Sequence, residues 1–343
     1  MQRPVMNPMD LNESAKPARF RIRWARIWFI LKVIVHLLLS DPFDLRSRGL
    51  RVDDGSHFQR LLHGILYRLA FIPVIAMLAV AVLVYTGTHP RPLLTQVDPS
   101  AVGVYFESVE FASESGSRLQ GWLVPAVDAR KILAEREHAL HAKSPAVVLV
   151  HGYGATRAQV LPLIKPLHDE GFLVLAIAVR GAGTLQAAGQ TFGVNESLDV
   201  RAAIEMLRRR PFVDVNRIAV VGVGTGANAV LLNTDRDQFD GPIVLDSPLV
   251  NGDQAVDLFV GSRNPSLRWM NPLCKWAFEI AYEKDLDEIN LDRHKHAIQT
   301  GKVLMVDEGP GFQMQLSPAT ISRVVKYLAK TLDEHEYSLA AGQ

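Results

Sequence analysis

Residues 218–232 read Ile-Ala-Val-Val-Gly-Val-Gly-Thr-Gly-Ala-Asn-Ala-Val-Leu-Leu, which predicts an apolar strand, a tight glycine turn and a helix. Such a turn, written G-x-S-x-G, exposes a nucleophilic oxygen at a sharp bend for attack on a carbonyl. Gly222 and Gly226 occupy the framing positions, but the nucleophile position holds Gly224. A glycine has no oxygen to attack with. It does adopt a positive φ readily, so the turn itself is expected to survive. Thr225 carries a hydroxyl one position further on, where it starts the helix. That role points its oxygen away from an acyl carbon and makes Thr225 a weak substitute nucleophile.

The elements that must position this turn alternate along the chain. Val104–Phe111 and Leu119–Val124 read as β segments joined by the turn residues 113–117. Ala146–Val150, Phe172–Val179, Ile218–Val221, Ile243–Leu245 and Val303–Val306 read as further strands. Between them, Thr156 caps a helix whose apolar positions Val160, Leu163, Ile164 and Leu167 follow the helical period, with Gly171 as its stop. Glu196–Arg209 and Ala227–Leu232 read as helices, and Ser317 caps a last one from Pro318. Residues 127–142 read as a charged surface insertion. Strands alternating with helices imply an α/β fold, a mostly parallel, doubly wound sheet covered on both faces. His151, Arg180, Gly224 and Asp246 each follow or end a strand, so they converge on one edge of the sheet, where ligands bind in such folds.

Composition narrows the class. With 343 residues and a formal net charge of +1, the chain has room for a large core and no basic excess for nucleic acid. Its single cysteine, Cys274, excludes an internal disulfide and a cysteine-based zinc site. No cofactor or metal is expected. Leu69–Tyr85 is an uncharged apolar run, about 26 Å long as a helix, and Leu66 and Tyr67 extend it towards the ~30 Å of a bilayer core. Arg48, Arg51, Arg60 and Arg68 precede it and Arg91 alone follows closely. The positive-inside rule then places the N-terminus in the cytoplasm and the C-terminal domain outside, on a single-pass protein. Ile27–Leu39, with Lys32 and His36 and following Arg19, Arg21, Arg23 and Arg26, reads as a basic amphipathic helix on the inner leaflet. Were it to cross instead, the chain would be a two-pass hairpin with a cytoplasmic C-terminal domain. The expected organisation is an N-terminal segment over 1–67, a transmembrane helix over 68–87, a proline-bearing linker over 88–101 and a globular domain over 102–335.

Over residues 104–250 the chain resembles the serine-hydrolase branch of the α/β-hydrolase family, the ester and peptide hydrolases. The residues that carry the likeness are Leu119-Gln-Gly-Trp-Leu-Val-Pro125, His151-Gly152-Tyr153-Gly154, Arg180-Gly181-Ala182-Gly183 and Gly193-Val-Asn-Glu196-Ser-Leu-Asp199. The Gly222–Gly226 turn and Leu245-Asp246-Ser247-Pro248 complete the set. The resemblance implies an oxyanion hole made by the backbone N–H groups of Tyr153 and Thr225. It also implies a catalytic histidine in the loop before the final helix. That loop reads Asp307-Glu-Gly-Pro-Gly-Phe-Gln-Met-Gln-Leu316 and has none; His294, His296 and His335 lie elsewhere, and His151 belongs to the oxyanion loop. Asp246 is a weak candidate for the acid partner and is expected rather to cap the Ser247-Pro248 turn. Glu196, Asp199, Arg180 and Arg201 are expected to form one ion-pair network beneath the site. The family's Asp two residues before the Arg-Gly turn is Ala178 here. The stretch between Pro248 and Lys302 is short for both a cap and the family's usual seventh strand. Its Trp269, Trp276, Phe278 and Tyr282 are expected to pack.

Three functions fit these residues. The residues favour a membrane-anchored hydrolase-like protein without catalytic activity, taking an unknown small molecule or protein in its cleft. An active hydrolase with an unorthodox nucleophile such as Thr225 is the second. The third is a dinucleotide-binding oxidoreductase, because Gly222-Val-Gly224-Thr-Gly-Ala227 also fits G-x-G-x-x-A and Asp246 ends the next strand.

Overall fold

The computed structural model describes residues 57–90, 97–126, 143–182, 189–237, 239–261, 265–294, 303–307 and 316–341. The helix expected over Ile27–Leu39, the insertion 127–142 and most of the loop after the last strand lie outside the described residues. The chain divides into two units, Met1–Leu78 and Ala79–Gln343.

The first unit contains the beginning of α1, a helix over His57–Thr88 with Pro73 inside it. Ile65, Leu66, Leu69, Ile72, Val74, Ile75, Met77 and Leu78 are all exposed, so this part of α1 is apolar around its whole circumference. Its stretch Ile65–Thr88 has a mean hydropathy of 2.5 and is long and apolar enough to cross a membrane. A core helix of similar composition would be mostly buried; this window is 11% buried.

The second unit begins inside α1, ahead of the boundary expected at residue 102. It holds a seven-stranded sheet: β1 (Glu107–Ala112), β2 (Arg118–Val124), β3 (Ser144–Val150), β4 (Leu173–Ala178), β5 (Val213–Val223), β6 (Ile243–Asp246) and β7 (Val303–Asp307). Their order is β1-β2-β4-β3-β5-β6-β7, with β1 and β2 antiparallel and the rest parallel. β7 lies directly beside β6, so no described strand stands between them. The order gives the mostly parallel α/β sheet expected and differs from the 3-2-1-4-5-6 order of dinucleotide folds.

β4 is apolar throughout, and β3 is apolar and buried from Ala146 on, because both faces are covered there. On one face, Val148 and Val150 meet α3 (Glu196–Arg208) through Val200, Ala203, Ile204 and Leu207, and α4 (Thr225–Asp237) through Ala227 and Val230. On the other, Val147 and Leu149 meet α2 (Leu161–Asp169) and α7 (Pro318–Ala341). Thr156 caps a short 3-10 turn ahead of α2, Gly171 leaves α2 with a φ of 88°, and Ser317 Oγ accepts from Thr320 N–H at 3.1 Å. A third core lies between the end of α1, α5 (Gly252–Phe259) and α6 (Asn271–Tyr282), and includes Val80, Val84, Phe192, Leu249, Phe259, Cys274 and Phe278. Phe278 packs as expected. Trp269 and Trp276 do not: both are exposed, Trp276 on the face of α6 turned away from this core and Trp269 in the 3-10 turn Pro265–Met270 ahead of that helix.

Candidate functional site

β5 ends at Val223 and α4 starts at Thr225, so Gly224 alone makes the turn, with a φ of 58°. Its N–H donates to the Asp246 carbonyl at 2.8 Å and its own carbonyl accepts from Ala227 N–H at 3.0 Å. The framing glycines are there for close approach. A Cβ on Gly222 would stand 2.5 Å from Ala227 Cα, and one on Gly226 would stand 2.6 Å from the His151 carbonyl oxygen. The strand, turn and helix therefore pack as a nucleophile elbow with no side chain at its apex.

Around the apex, Gly152, Tyr153, Gln159, Gly224, Thr225, Ser247 and Leu249 line a cavity of about 10 Å³. That is room for roughly one water. Thr225 opens α4, and the first N–H groups of a helix have no partner within it. Gly152 N–H is already used, donating to Gln159 Oε1 at 2.8 Å. The four expected residues Tyr153, Gly224, Thr225 and Asp246 are thus brought to one corner of the sheet, three of them on the cavity and Asp246 holding the turn from behind. The Asp246 carboxylate also accepts from Ser247 Oγ at 3.3 Å, and Ser247 itself has a φ of 51°.

His151 is fully buried beside this corner. Its Nδ1 lies 2.9 Å from the Gly152 carbonyl, and its Nε2 accepts from Val179 N–H at 3.4 Å. These partners require a neutral ring with the proton on Nδ1. Burial is the main cause that lowers its pKa to about 4, helped by the Arg157 charge and opposed by the bond to Gly152. His151 is a strut between the ends of β3 and β4, not a base.

The expected four-member ion network is instead three separate devices. Arg180 donates to Asp199 from its backbone N–H at 2.9 Å and its Nε at 3.1 Å, and Nη2 reaches Ser115 Oγ at 2.8 Å. Among the described residues Glu196 takes no cation: its carboxylate accepts from Thr191 N–H and Oγ1, both at 2.7 Å, and from Gly193 N–H at 3.0 Å. Burial dominates there and raises its pKa. Arg201 pairs with Glu114 at 3.3 Å near the surface. The division follows from helix geometry, since residue 201 lies about 200° round α3 from residue 199.

What the sequence did not disclose is the filling of the space next to the elbow. Phe192, with a φ of 58°, places its ring 5.2 Å from Tyr153, 5.6 Å from Phe259 and 5.8 Å from Phe278. The last turn of α1 closes against this cluster. The Tyr153 hydroxyl donates to the Gly87 carbonyl, Tyr282 OH donates to Thr88 Oγ1 at 2.7 Å, and Gln190 N–H donates to the Thr88 carbonyl at 2.7 Å. A Cβ on Gly87 would stand 2.6 Å from the Phe259 ring, which explains the glycine. The one available signal was Gly87-Thr88 ending an apolar run, too slight to read as a docking point. The sheet order stands against the dinucleotide reading, since such folds run 3-2-1-4-5-6. Among the described residues, Glu279, Asp285 and Asp287 bring carboxylate oxygens within 4.8 Å of one another, but Lys275 already bonds Asp287, and Asp285 accepts from Asp287 N–H at 2.7 Å.

No family model matches the chain. A curated relative, the uncharacterized protein YfhR of Escherichia coli K12, is 29% identical over 145 residues, 41% of this chain and 46% of that protein. The relative from Salmonella typhimurium LT2 is 27% identical over 125 residues, covering 36% of this chain and 39% of that protein. The chain thus matches less than half the length of these curated relatives. Among solved structures, the Pyrococcus furiosus esterase Pf2001 superposes with a TM-score of 0.50 at 19% identity, over 71% of this chain and 97% of that one. Likeness at this level establishes the α/β-hydrolase type of fold. It carries no reaction with it.

Proposed function

We propose that this chain is a membrane-anchored, α/β-hydrolase-like protein without catalytic activity, whose domain serves binding or interaction at the membrane. The observation that carries this reading is the elbow: glycine stands at its apex, beside a histidine whose two ring nitrogens are engaged in the fold. Losing the nucleophile alone costs on the order of a millionfold in a measured serine protease. α1 supports the anchor by its length and exposed apolar surface. The arginines at 48, 51, 60 and 68 against Arg91 favour a single pass with the C-terminal domain outside the cytoplasm. A fluorophosphonate probe tests the chemistry on the full chain in detergent: no covalent adduct is expected, and an adduct mapped to any residue overturns the inactive reading. A reporter fused after Gln343 tests topology, and activity only on the cytoplasmic side refutes the single pass.

One observation favours a second reading, an active hydrolase. Thr225 lines the same small cavity as Tyr153 and Gly224. Under that reading a Thr225→Ala variant loses an ester-cleaving activity that the native chain has.

A further inference from the structure

α6 has two unlike faces. Cys274 and Phe278 are buried in the core shared with the end of α1, whereas Leu273, Trp276 and Ile280 are exposed. At ~100° per residue these three lie within about 60° of arc, roughly opposite Phe278. Trp269, in the 3-10 turn that leads into α6, extends the stripe. Trp269 is 69% exposed and Trp276 60%. Two open tryptophans on one apolar stripe are unusual for a surface that faces only water.

We propose that the stripe Trp269, Leu273, Trp276 and Ile280 lies in the headgroup region of the bilayer that α1 enters. The inference rests on the membrane-anchored reading above and adds to it a second point of lipid contact. Val80 is the first residue of α1 buried in the domain, and from Ile65, where the apolar span begins, to Ala79 the helix reaches only about 22 Å at ~1.5 Å per residue. A bilayer core is ~30 Å thick, so roughly 8 Å of it must be spanned by α1 residues that the domain already holds. Val82 and Tyr85 are exposed in that stretch, as lipid contact requires.

α6 is packed on the same stretch. Met270, Cys274 and Phe278 share a core with Val80 and Val84, and Tyr282 OH bonds Thr88 Oγ1. A helix fastened there sits at the level of the interface, where tryptophan is enriched because its ring is apolar and its N–H finds water.

Tryptophan quenching tests this on the full chain. Trp24→Phe and Trp28→Phe leave Trp122, which is buried, together with Trp269 and Trp276. This variant is reconstituted in phosphatidylcholine vesicles with and without bromine on the acyl chains near the headgroup. Bromine is expected to quench the emission, and Trp269→Gln with Trp276→Gln is expected to abolish the quenching while the protein still floats with the vesicles after an alkaline wash. Flotation without bromine quenching overturns the proposal and leaves the anchor standing. So does quenching that persists in the double glutamine variant. Chemical cross-linking of two copies through this face, without quenching, assigns it to a second chain and also overturns the proposal. Failure to float overturns the anchor reading and this inference with it.

Discussion

Restoring the hydroxyl at the apex of the elbow is the most revealing single change. Gly224→Ser puts an oxygen where the turn presents it, at a φ of 58°. An L residue with a side chain pays about 1–2 kcal/mol in that left-handed region, which for a domain of this size lowers Tm by roughly 2–8 °C. The variant should therefore fold. Chemistry needs more than the oxygen, because a serine hydroxyl attacks only when a base lies within about 2.6–3.2 Å of it. The buried histidine at this corner, His151, has Nδ1 bonded to the Gly152 carbonyl and Nε2 held by Val179 N–H, with its pKa lowered to about 4. Such a ring is committed to the fold, and it is a weak proton acceptor besides. In a measured serine protease, loss of either serine or histidine costs about as much as loss of the whole triad, a factor near ~10⁶. Serine alone should then recover less than about 10-fold over the native chain. The assay is hydrolysis of p-nitrophenyl esters with full-length protein in detergent, alongside fluorophosphonate labelling. A gain of about 10³-fold or more, or a covalent label at position 224, refutes the reasoning, because it demonstrates a working base at the site.

Further outcomes follow from the buried polar groups. Asp199→Ala leaves the Arg180 guanidinium buried without its carboxylate and should cost about 3–5 kcal/mol in urea unfolding. Arg201→Ala, at a half-exposed pair, should cost no more than about 1 kcal/mol; equal losses for the two would contradict the division of the charges described above. His151 sets a pH dependence. Its folded pKa of about 4 lies below the unfolded 6.5, so the unfolded chain takes up the proton first as pH falls. The associated stability is complete above pH 6.5 and is lost progressively towards pH 4, by about 3 kcal/mol in all. His151→Asn should remove this component from the unfolding curves, and a pH dependence unchanged in the variant would assign it to other groups.

The sheet was legible where burial is two-sided. β3 and β4 fall within two residues of their expected bounds because their apolar runs have no other explanation. β5 was underestimated: it begins at Val213, five residues before the expected Ile218, since Asp214, Asn216 and Arg217 mask its first half. The elbow was placed correctly by its glycines. α4 begins at Thr225 because one residue suffices for the turn. The approach of His151, Gly224 and Asp246 to one corner could be read from the strand ends.

What stayed hidden depends on tertiary approach. Hydropathy cannot show that Val80 and Val84 are packed in protein while Ile72 and Met77, in the same run, are exposed. Phe192 adopts its positive φ where its ring stacks on Phe259, a contact between loop and helix that leaves no local pattern. The exposure of Trp269 and Trp276 reverses the usual preference of large aromatics, and only the burial of Phe278 on the opposite face reveals it.

The central claim is that this elbow performs no acyl transfer. Steady-state turnover of a panel of ester and peptide substrates by the purified full-length chain measures it directly, with Thr225→Ala as the comparison. Native and variant protein are expected to match the uncatalysed rate. Substrate-saturable turnover at enzyme-like rates, abolished by the Thr225 change, would contradict it.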